Sequence, residues 1–344
     1  MRPIIAVTMG DPAGIGPEIC VKAYKNGRFH EKCRVFAIGS RTALEDALRY
    51  THTDLVLREI ADPTQSEGQA GVLDFIDPRP LAYGEYTPGQ VNPACGDAAF
   101  AYVRAAIEYC QSGLADAVAT GPLNKEALNK AGHHFDGHTE IFAYYTHTKS
   151  YTMLLASGAL RVVHVSTHVP LSRACELVQY TRVYETIRLA AQALEMLGIQ
   201  NGRIAVAGLN PHASDNGLFG DTEAREIVPA IESARRDGLN VTGPIPPDSV
   251  FVRALGGEAD IVVAMYHDQG HIPLKLAGFR LDPATGRYSQ MSGINMTVGI
   301  PILRTSVDHG TAFDRAGCNT ANEGSLLEAI DVACTAALAR RERN

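Results

Sequence analysis

The stretch Ile261-Val262-Val263-Ala264-Met265-Tyr266-His267-Asp268-Gln269-Gly270-His271 decides the fold class. Five apolar residues in a row read as a strand buried on both faces, the mark of a parallel sheet. Directly past the strand's C-terminal end the chain presents two imidazoles, a carboxylate, a carboxamide and a flexible glycine. In open α/β sheets ligands bind at that edge. A single His in such a place is ordinarily a hydrogen-bonded loop residue. The chemistry therefore depends on what other segments bring to the same edge.

Two other segments repeat the arrangement. Residues 160–168 read as a strand. Alternation puts Val162, His164, Ser166 and His168 on one face and Val163, Val165 and Thr167 on the other. His164 then lies mid-strand as a core histidine, and His168 stands at the C-terminal end before Pro170. The run Ile204-Ala205-Val206-Ala207-Gly208 leads into Leu209-Asn210-Pro211-His212. Three strands thus each deliver a His at the C-terminal edge: His168, His212 and His267. Neutral imidazole is the commonest ligand for zinc and suits several other divalent ions. No local HxxxH spacing links the three. A three-His metal site and three separate loop histidines both fit the pattern.

Strand-like and helix-like segments alternate through the rest of the chain, with no internal repeat, so the class is α/β. Residues 4–8 form the first strand and lead into Met9-Gly10-Asp11-Pro12-Ala13-Gly14-Ile15-Gly16-Pro17-Glu18. Pro17 suits the first turn of a helix and Glu18 its positive end. The loop resembles a phosphate cradle. Its spacing is neither GxGxxG nor GxxxxGK[ST], so a tight turn and an anion site both remain open. Gly132-His133-His134-Phe135-Asp136-Gly137-His138-Thr139-Glu140 holds three His in six residues, just before a helix at 140–145. Either His138 or Thr139 caps that helix and faces an anion, or the segment is a structural turn. Arg304 follows apolar residues and fits a carboxylate or phosphate, or an internal salt bridge.

Composition narrows the class. The chain has 344 residues, enough for two domains with a sizeable core. It is 45% hydrophobic and 20% charged, an ordinary globular balance. A net charge of −7 disfavours nucleic acid as the main partner. Seven Cys without a CxxC pair suit a reducing cytoplasm rather than a disulfide framework. Met1-Arg2-Pro3 runs straight into a strand, which does not read as a secretory signal. No apolar run approaches the roughly 20 residues that span a bilayer.

The ordered motifs carry a resemblance. Met9–Glu18, Gly137-His138-Thr139-Glu140, Thr167-His168, Asn210-Pro211-His212, Pro247-Asp248-Ser249-Val250-Phe251, Tyr266-His267-Asp268-Gln269-Gly270 and Arg304-Thr305-Ser306-Val307-Asp308-His309-Gly310-Thr311-Ala312 occur in that order. The chain closely resembles the 4-hydroxythreonine-4-phosphate dehydrogenase family from residue 3 to about 335. The wording around His271, His164 and Asn216–Asp221 is most like the branch acting on 4-phospho-D-threonate or 4-phospho-D-erythronate.

The resemblance implies an isocitrate/isopropylmalate-dehydrogenase-like fold, with two α/β/α lobes around a central cleft. Residues 1–130 plus 300–344 form the first lobe. Residues 131–299 form the second, with most metal and substrate residues. It implies a homodimer with a shared active site, to which composition adds the expectation of a cytoplasmic protein with no nucleic-acid or membrane partner. His168, His212 and His267 match the ligands of one divalent metal per subunit (zinc, magnesium or cobalt), one of them from the partner subunit. His138, Thr139, Lys275, Asn295 and Arg304 match substrate-binding positions. His309, Gly310, Thr311 and Ala312 match a loop that holds NAD.

The implied reaction is NAD-dependent oxidation of a 4-phosphorylated four-carbon hydroxy acid to a β-keto acid, which decarboxylates to dihydroxyacetone phosphate. Asp248 and Asp268 are the candidate proton acceptors. Alternatives are the 4-phosphooxy-L-threonine dehydrogenase of pyridoxal phosphate synthesis, a cis-dihydrodiol acid dehydrogenase, a phosphotransacetylase-type acyltransferase and a non-catalytic phosphometabolite-binding protein. Two departures from the family wording stand out. Residues 280–293 are longer than the short link expected between Lys275 and Asn295, as an exposed loop, lid or hairpin. Cys318-Asn319-Thr320-Ala321-Asn322-Glu323 is altered on the adenine side.

Overall fold

The apolar runs form strands in a computed structural model that describes residues 2–283, 287–291 and 293–343, without the side chains of 287–291 and 343. In chain order these are β1 (Ile4–Thr8), β2 (Arg34–Ile38), β3 (Val56–Glu59), β4 (Val72–Ile76), β5 (Ala117–Thr120), β6 (Thr152–Ser157), β7 (Leu160–His164), β8 (Ile204–Ala207), β9 (Val241–Ile245), β10 (Ile261–Ala264), β11 (Phe279–Asp282), β12 (Arg287–Met291), β13 (Ile294–Val298) and β14 (Leu303–Val307). The fold is α/β, as the alternation of strands and helices requires. The chain divides into two units, Met1–Lys149 with Ile300–Asn344, and Ser150–Gly299.

In the first unit the strand order is β3-β4-β2-β1-β5-β14, and every pair is parallel. Parallel neighbours need crossover connections, which the helices Gly16–Asn26, Arg41–Thr51 and Pro93–Gln111 supply. The last of these starts at Pro93, behind Asn92, whose side chain accepts from Ala94 N at 2.8 Å. All residues of β1, β5 and β14 are buried, as helices on both faces demand.

The expected lobe boundary at residue 131 lies instead at 149/150. The helix His138–Tyr145 stays with the first unit because its aromatic end packs on Pro93–Gln111. The Arg104 guanidinium lies 3.8 Å over the Tyr145 ring, and Phe100 stacks on His133 at 3.8 Å. Phe135 and Tyr145 also pack on Phe100 of that helix, their ring centroids 6.0 Å and 6.1 Å away.

In the second unit the order is β13-β6-β7-β10-β8-β9. β13 with β6 and β6 with β7 are antiparallel; the remaining pairs are parallel. Leu155, Val162, Ala205, Phe251, Val262 and Leu274 share its core. Two details depart from the sequence reading. The strand expected at 160–168 ends at His164. The chain then turns into the helix Leu171–Leu177. His267–Gly278 is a helix rather than a loop, despite Gly270 and Pro273, because Leu274 and Gly270 are drawn into the core. In the long segment β11 and β12 pair antiparallel, Phe279 opposite Met291; positions 284–286 and 292 lie outside the described residues. Among the described residues no helix is long and apolar enough to cross a membrane.

Candidate active site

The three strands that lead to His168, His267 and His212 are neighbours, in the order β7-β10-β8, and run parallel. Their C-terminal ends therefore lie side by side, about 4.8 Å apart per strand. His267 opens its helix. Its Nδ1 meets the Asp268 carboxylate at 2.6 Å, which assigns the proton to Nδ1 and leaves the Nε2 lone pair for an electrophile. The His168 and His267 ring centroids are 5.7 Å apart. Two imidazoles sharing one ion at about 2.1 Å per bond put their centroids roughly 5 Å apart, so this pair fits a common divalent cation. A concavity of 450 Å³ opens beside them, lined by Thr167, His168, Tyr266, His267 and Asp268.

His212 is exposed and begins an unusual run of backbone. His212, Ala213, Ser214, Asp215 and Asn216 all have φ between 43° and 74°, and Gly217 follows at 95°. For L-residues that conformation costs roughly 1–2 kcal/mol each, somewhat less for Asn and Asp. Strain of this kind concentrates at functional sites. Among the described residues no three His, Cys, Asp or Glu side chains of the single chain gather closely enough to hold one ion.

His271 was expected only to mark a sub-family. The structure places its ring against His267, 3.6 Å between centroids and 12° from parallel, with His271 Nδ1 3.0 Å from the His267 carbonyl. Behind it lies His164, whose burial, with His271 and His267 adding to it, pushes the imidazole down to about 3 and keeps it neutral. Lys275 holds its ammonium 4.6 Å over the Phe279 ring. Asn295 donates to Met153 Sδ, and among the described residues its enclosed Oδ1 has no partner. Asp248 stands exposed in the first turn of the helix Pro247–Leu255, apart from Asp268 on the His267 helix.

The first unit carries a second cluster. Arg304 is 2% exposed on β14. Its guanidinium donates to Thr120 Oγ1 at 2.9 Å and Thr139 Oγ1 at 3.3 Å. Burial pushes its pKa down to about 9, against the pull of Glu140, so it remains a cation near neutrality. His138 opens the helix His138–Tyr145. Enclosure, reinforced by the Arg304 charge, holds its imidazole well below the ordinary range. Among the described residues its buried Nε2 has no hydrogen-bond partner. A buried cation, two hydroxyls and a neutral imidazole suit a carboxylate or phosphate. Thr120, absent from the sequence reading, joins because β5 pairs with β14 in register, Thr120 opposite Ser306. Nothing local marks it.

The segment His309–Ala312 packs on the first Gly-rich loop. Ile15 N donates to Thr311 O at 3.0 Å. The glycines of that loop serve close backbone packing: a Cβ at Gly10 would meet Pro122 O at 2.4 Å, and one at Gly16 would meet Met9 O at 2.2 Å. A cavity of 250 Å³ opens nearby, lined by Pro12, Gly14, Tyr50, Tyr86, Pro88 and Gly317.

Residues 31–333 match the family described as "Pyridoxal phosphate biosynthetic protein PdxA". The chain is 45% identical over 333 residues to D-threonate 4-phosphate dehydrogenase of Cupriavidus necator, covering 95% of each chain. It is also 45% identical to the enzyme of the same name from Salmonella typhimurium, covering 96% of this chain and 97% of the other. The crystal structure of 4-hydroxythreonine-4-phosphate dehydrogenase from Klebsiella pneumoniae superposes with a TM-score of 0.85 at 42% identity, covering 98% of this chain and 100% of that one. Fold, motif order and similarity over nearly the whole length converge, and the chain belongs to the PdxA family.

Proposed function

We propose that the protein is a dehydrogenase that oxidises the C3 hydroxyl of 4-phospho-D-threonate or 4-phospho-D-erythronate, with NAD as acceptor and one divalent cation per subunit. The observation that carries this reading is the set of three adjacent parallel strands that each present a His, with His168 and His267 rings 5.7 Å apart. Relatives named D-threonate 4-phosphate dehydrogenase support the substrate class.

His168, His212 and His267 would hold the cation, one of them contributed by the partner subunit. When bound, the cation stabilises negative charge on the substrate oxygens while NAD accepts the hydride. Asp268 keeps the His267 proton on Nδ1. Arg304, His138, Thr139, Lys275 and Asn295 bind the anionic substrate, which positions the reacting carbon. Asp248 or Asp268 accepts the alcohol proton. The β-keto acid formed has its carbonyl adjacent to the carbon that bears the carboxylate, and loss of carbon dioxide gives dihydroxyacetone phosphate. His309–Ala312 would hold NAD, and the Tyr- and Pro-lined cavity nearby has the flat apolar walls a purine needs.

A homodimer is supported by an exposed apolar row. Ile272 and Leu276, four residues apart on one helix, are 64% and 74% exposed, and Leu281 follows at 60%. Seven free thiols suit a reducing cytoplasm.

The test is a substrate panel of 4-phospho-D-threonate, 4-phospho-D-erythronate and 4-phosphooxy-L-threonine, followed by NADH absorbance with and without added metal. NADH formation with the first two, abolished by a chelator and restored by metal, is expected. Turnover of 4-phosphooxy-L-threonine alone would assign the chain to pyridoxal phosphate synthesis. No NADH from any of the three would refute the dehydrogenase reading for these substrates.

A further inference from the structure

The ends of β8 and β10 are tied together by side chains to which the reaction above gives no role. Gln269 is buried, 8% exposed. Its Oε1 accepts from Met265 N at 2.7 Å, and its Nε2 donates to Gly208 O at 2.9 Å. One carboxamide thus spans two neighbouring strand ends, next to the points where the chain departs toward His267 and His212. Glu223, 3% exposed, fixes the other side of the His212 segment. Its Oε1 accepts from Leu209 N at 2.9 Å and Asn210 N at 2.7 Å, and its Oε2 from Asn210 Nδ2 at 2.9 Å.

Immediately after these anchors comes the left-handed run from His212 to Asn216. Backbone of this kind persists only where its surroundings over-determine it. Three donors on one buried carboxylate, just upstream of His212, supply part of that constraint. The Gln269 bridge then sets the start of this segment against the start of the His267 helix. Two buried polar side chains, on different elements and far apart in sequence, converge on the two histidine-bearing segments.

We propose that Gln269 and Glu223 are positioning residues for the metal ligands: Gln269 fixes the β8 and β10 ends relative to each other, and Glu223 holds the strained segment that presents His212. This rests on the three-His reading of the metal site. Outer partners that orient ligands typically contribute about 10–100-fold in metal affinity. A purely structural role would leave affinity unchanged in variants that fold.

The test uses the full-length, metal-stripped protein titrated with Co²⁺, reading the visible absorption bands and Kd, with far-UV circular dichroism as a check on folding. The unaltered protein is expected to bind Co²⁺, and His267→Ala to lose the bands. Gln269→Met and Glu223→Gln are each expected to raise Kd by about 10–100-fold and to shift the bands. Glu223→Gln combined with Asn210→Asp reverses donor and acceptor in one hydrogen bond and should recover most of the affinity. Because that pair keeps the contact, it tests the proposal even where Gln269→Met does not fold. Folded single variants with unaltered Kd and spectrum would overturn the positioning role while leaving the metal site standing. No Co²⁺ binding by the unaltered protein would overturn the metal site and this proposal with it.

Discussion

Gly270 sits at the centre of the histidine cluster, and replacing it with Ala is the sharpest probe of the packing there. A Cβ at that position would lie 2.2 Å from His164 Nε2 and 2.7 Å from Val162 Cγ1. His164 and Val162 are both buried on β7, at 1% and 0% exposure, and strand pairs on either side hold them. To reach ordinary contact the ring must move by more than about 1 Å in a close-packed interior. Two effects oppose each other. Gly→Ala inside a helix gains roughly 1 kcal/mol from propensity. Overpacking a rigid core costs typically 1–3 kcal/mol and occasionally more. With two buried neighbours and a strand backbone behind them, overpacking wins. We expect a net loss of about 1–2 kcal/mol, which for a protein of this size lowers Tm by roughly 1–3 °C.

The assay is urea unfolding of the unaltered protein, Gly270→Ala, His164→Ala and the double variant. His164→Ala makes room for the new methyl, so the pair should show a favourable coupling energy of about 1 kcal/mol or more. A Gly270→Ala variant as stable as the unaltered protein would refute the argument. So would a double-mutant cycle without coupling.

Two further outcomes follow from buried and exposed groups elsewhere. Asp11 is fully buried. Burial raises its pKa from 3.8 to about 6, opposed by the hydrogen bond from Ala13 N. A folded pKa above the unfolded one means that the charged form destabilises the fold. The penalty is absent below the unfolded value, grows as pH rises between the two, and is complete above about 6. Asp11→Asn should therefore stabilise the protein by up to about 3 kcal/mol at mildly alkaline pH and by nothing in strong acid. Urea midpoints across pH check this, and a pH-independent difference would refute it. On the apolar row, Ile272→Glu with Leu276→Glu should give monomers in sedimentation velocity while leaving the fold intact, since both side chains are exposed. A dimer of unchanged mass would remove this face from the interface.

Residues 261–265 and 204–208 declared themselves as buried parallel strands because a helix-covered sheet leaves no polar face, and 160–168 read as an alternating strand, of which only 160–164 is strand. That local fact carried the α/β class and put His168, His212 and His267 at one edge. It did not extend to conformation past the strands. Gly270 read as a flexible loop residue, yet it is a helical glycine that makes room for the His164 ring. Residues 131–149 read as part of the second lobe, yet Phe135 and Tyr145 pack on Phe100, and Arg104 lies over the Tyr145 ring.

By itself the sequence determined the α/β class, the apolar runs that form β8 and β10 and which imidazoles follow them, while it overran the end of β7, which stops at His164 rather than His168. Those are properties of short windows, governed by periodicity and chain direction. Only the tertiary structure decided the strand order β7-β10-β8, which makes those three strand ends neighbours. It alone revealed Thr120 beside Arg304, His271 stacked on His267, and the carboxamide of Gln269 on the carbonyl of Gly208. Each of these joins residues distant in sequence or set on one side by packing. The free energy that fixes them comes from burial and hydrogen bonding in three dimensions, which no local pattern encodes.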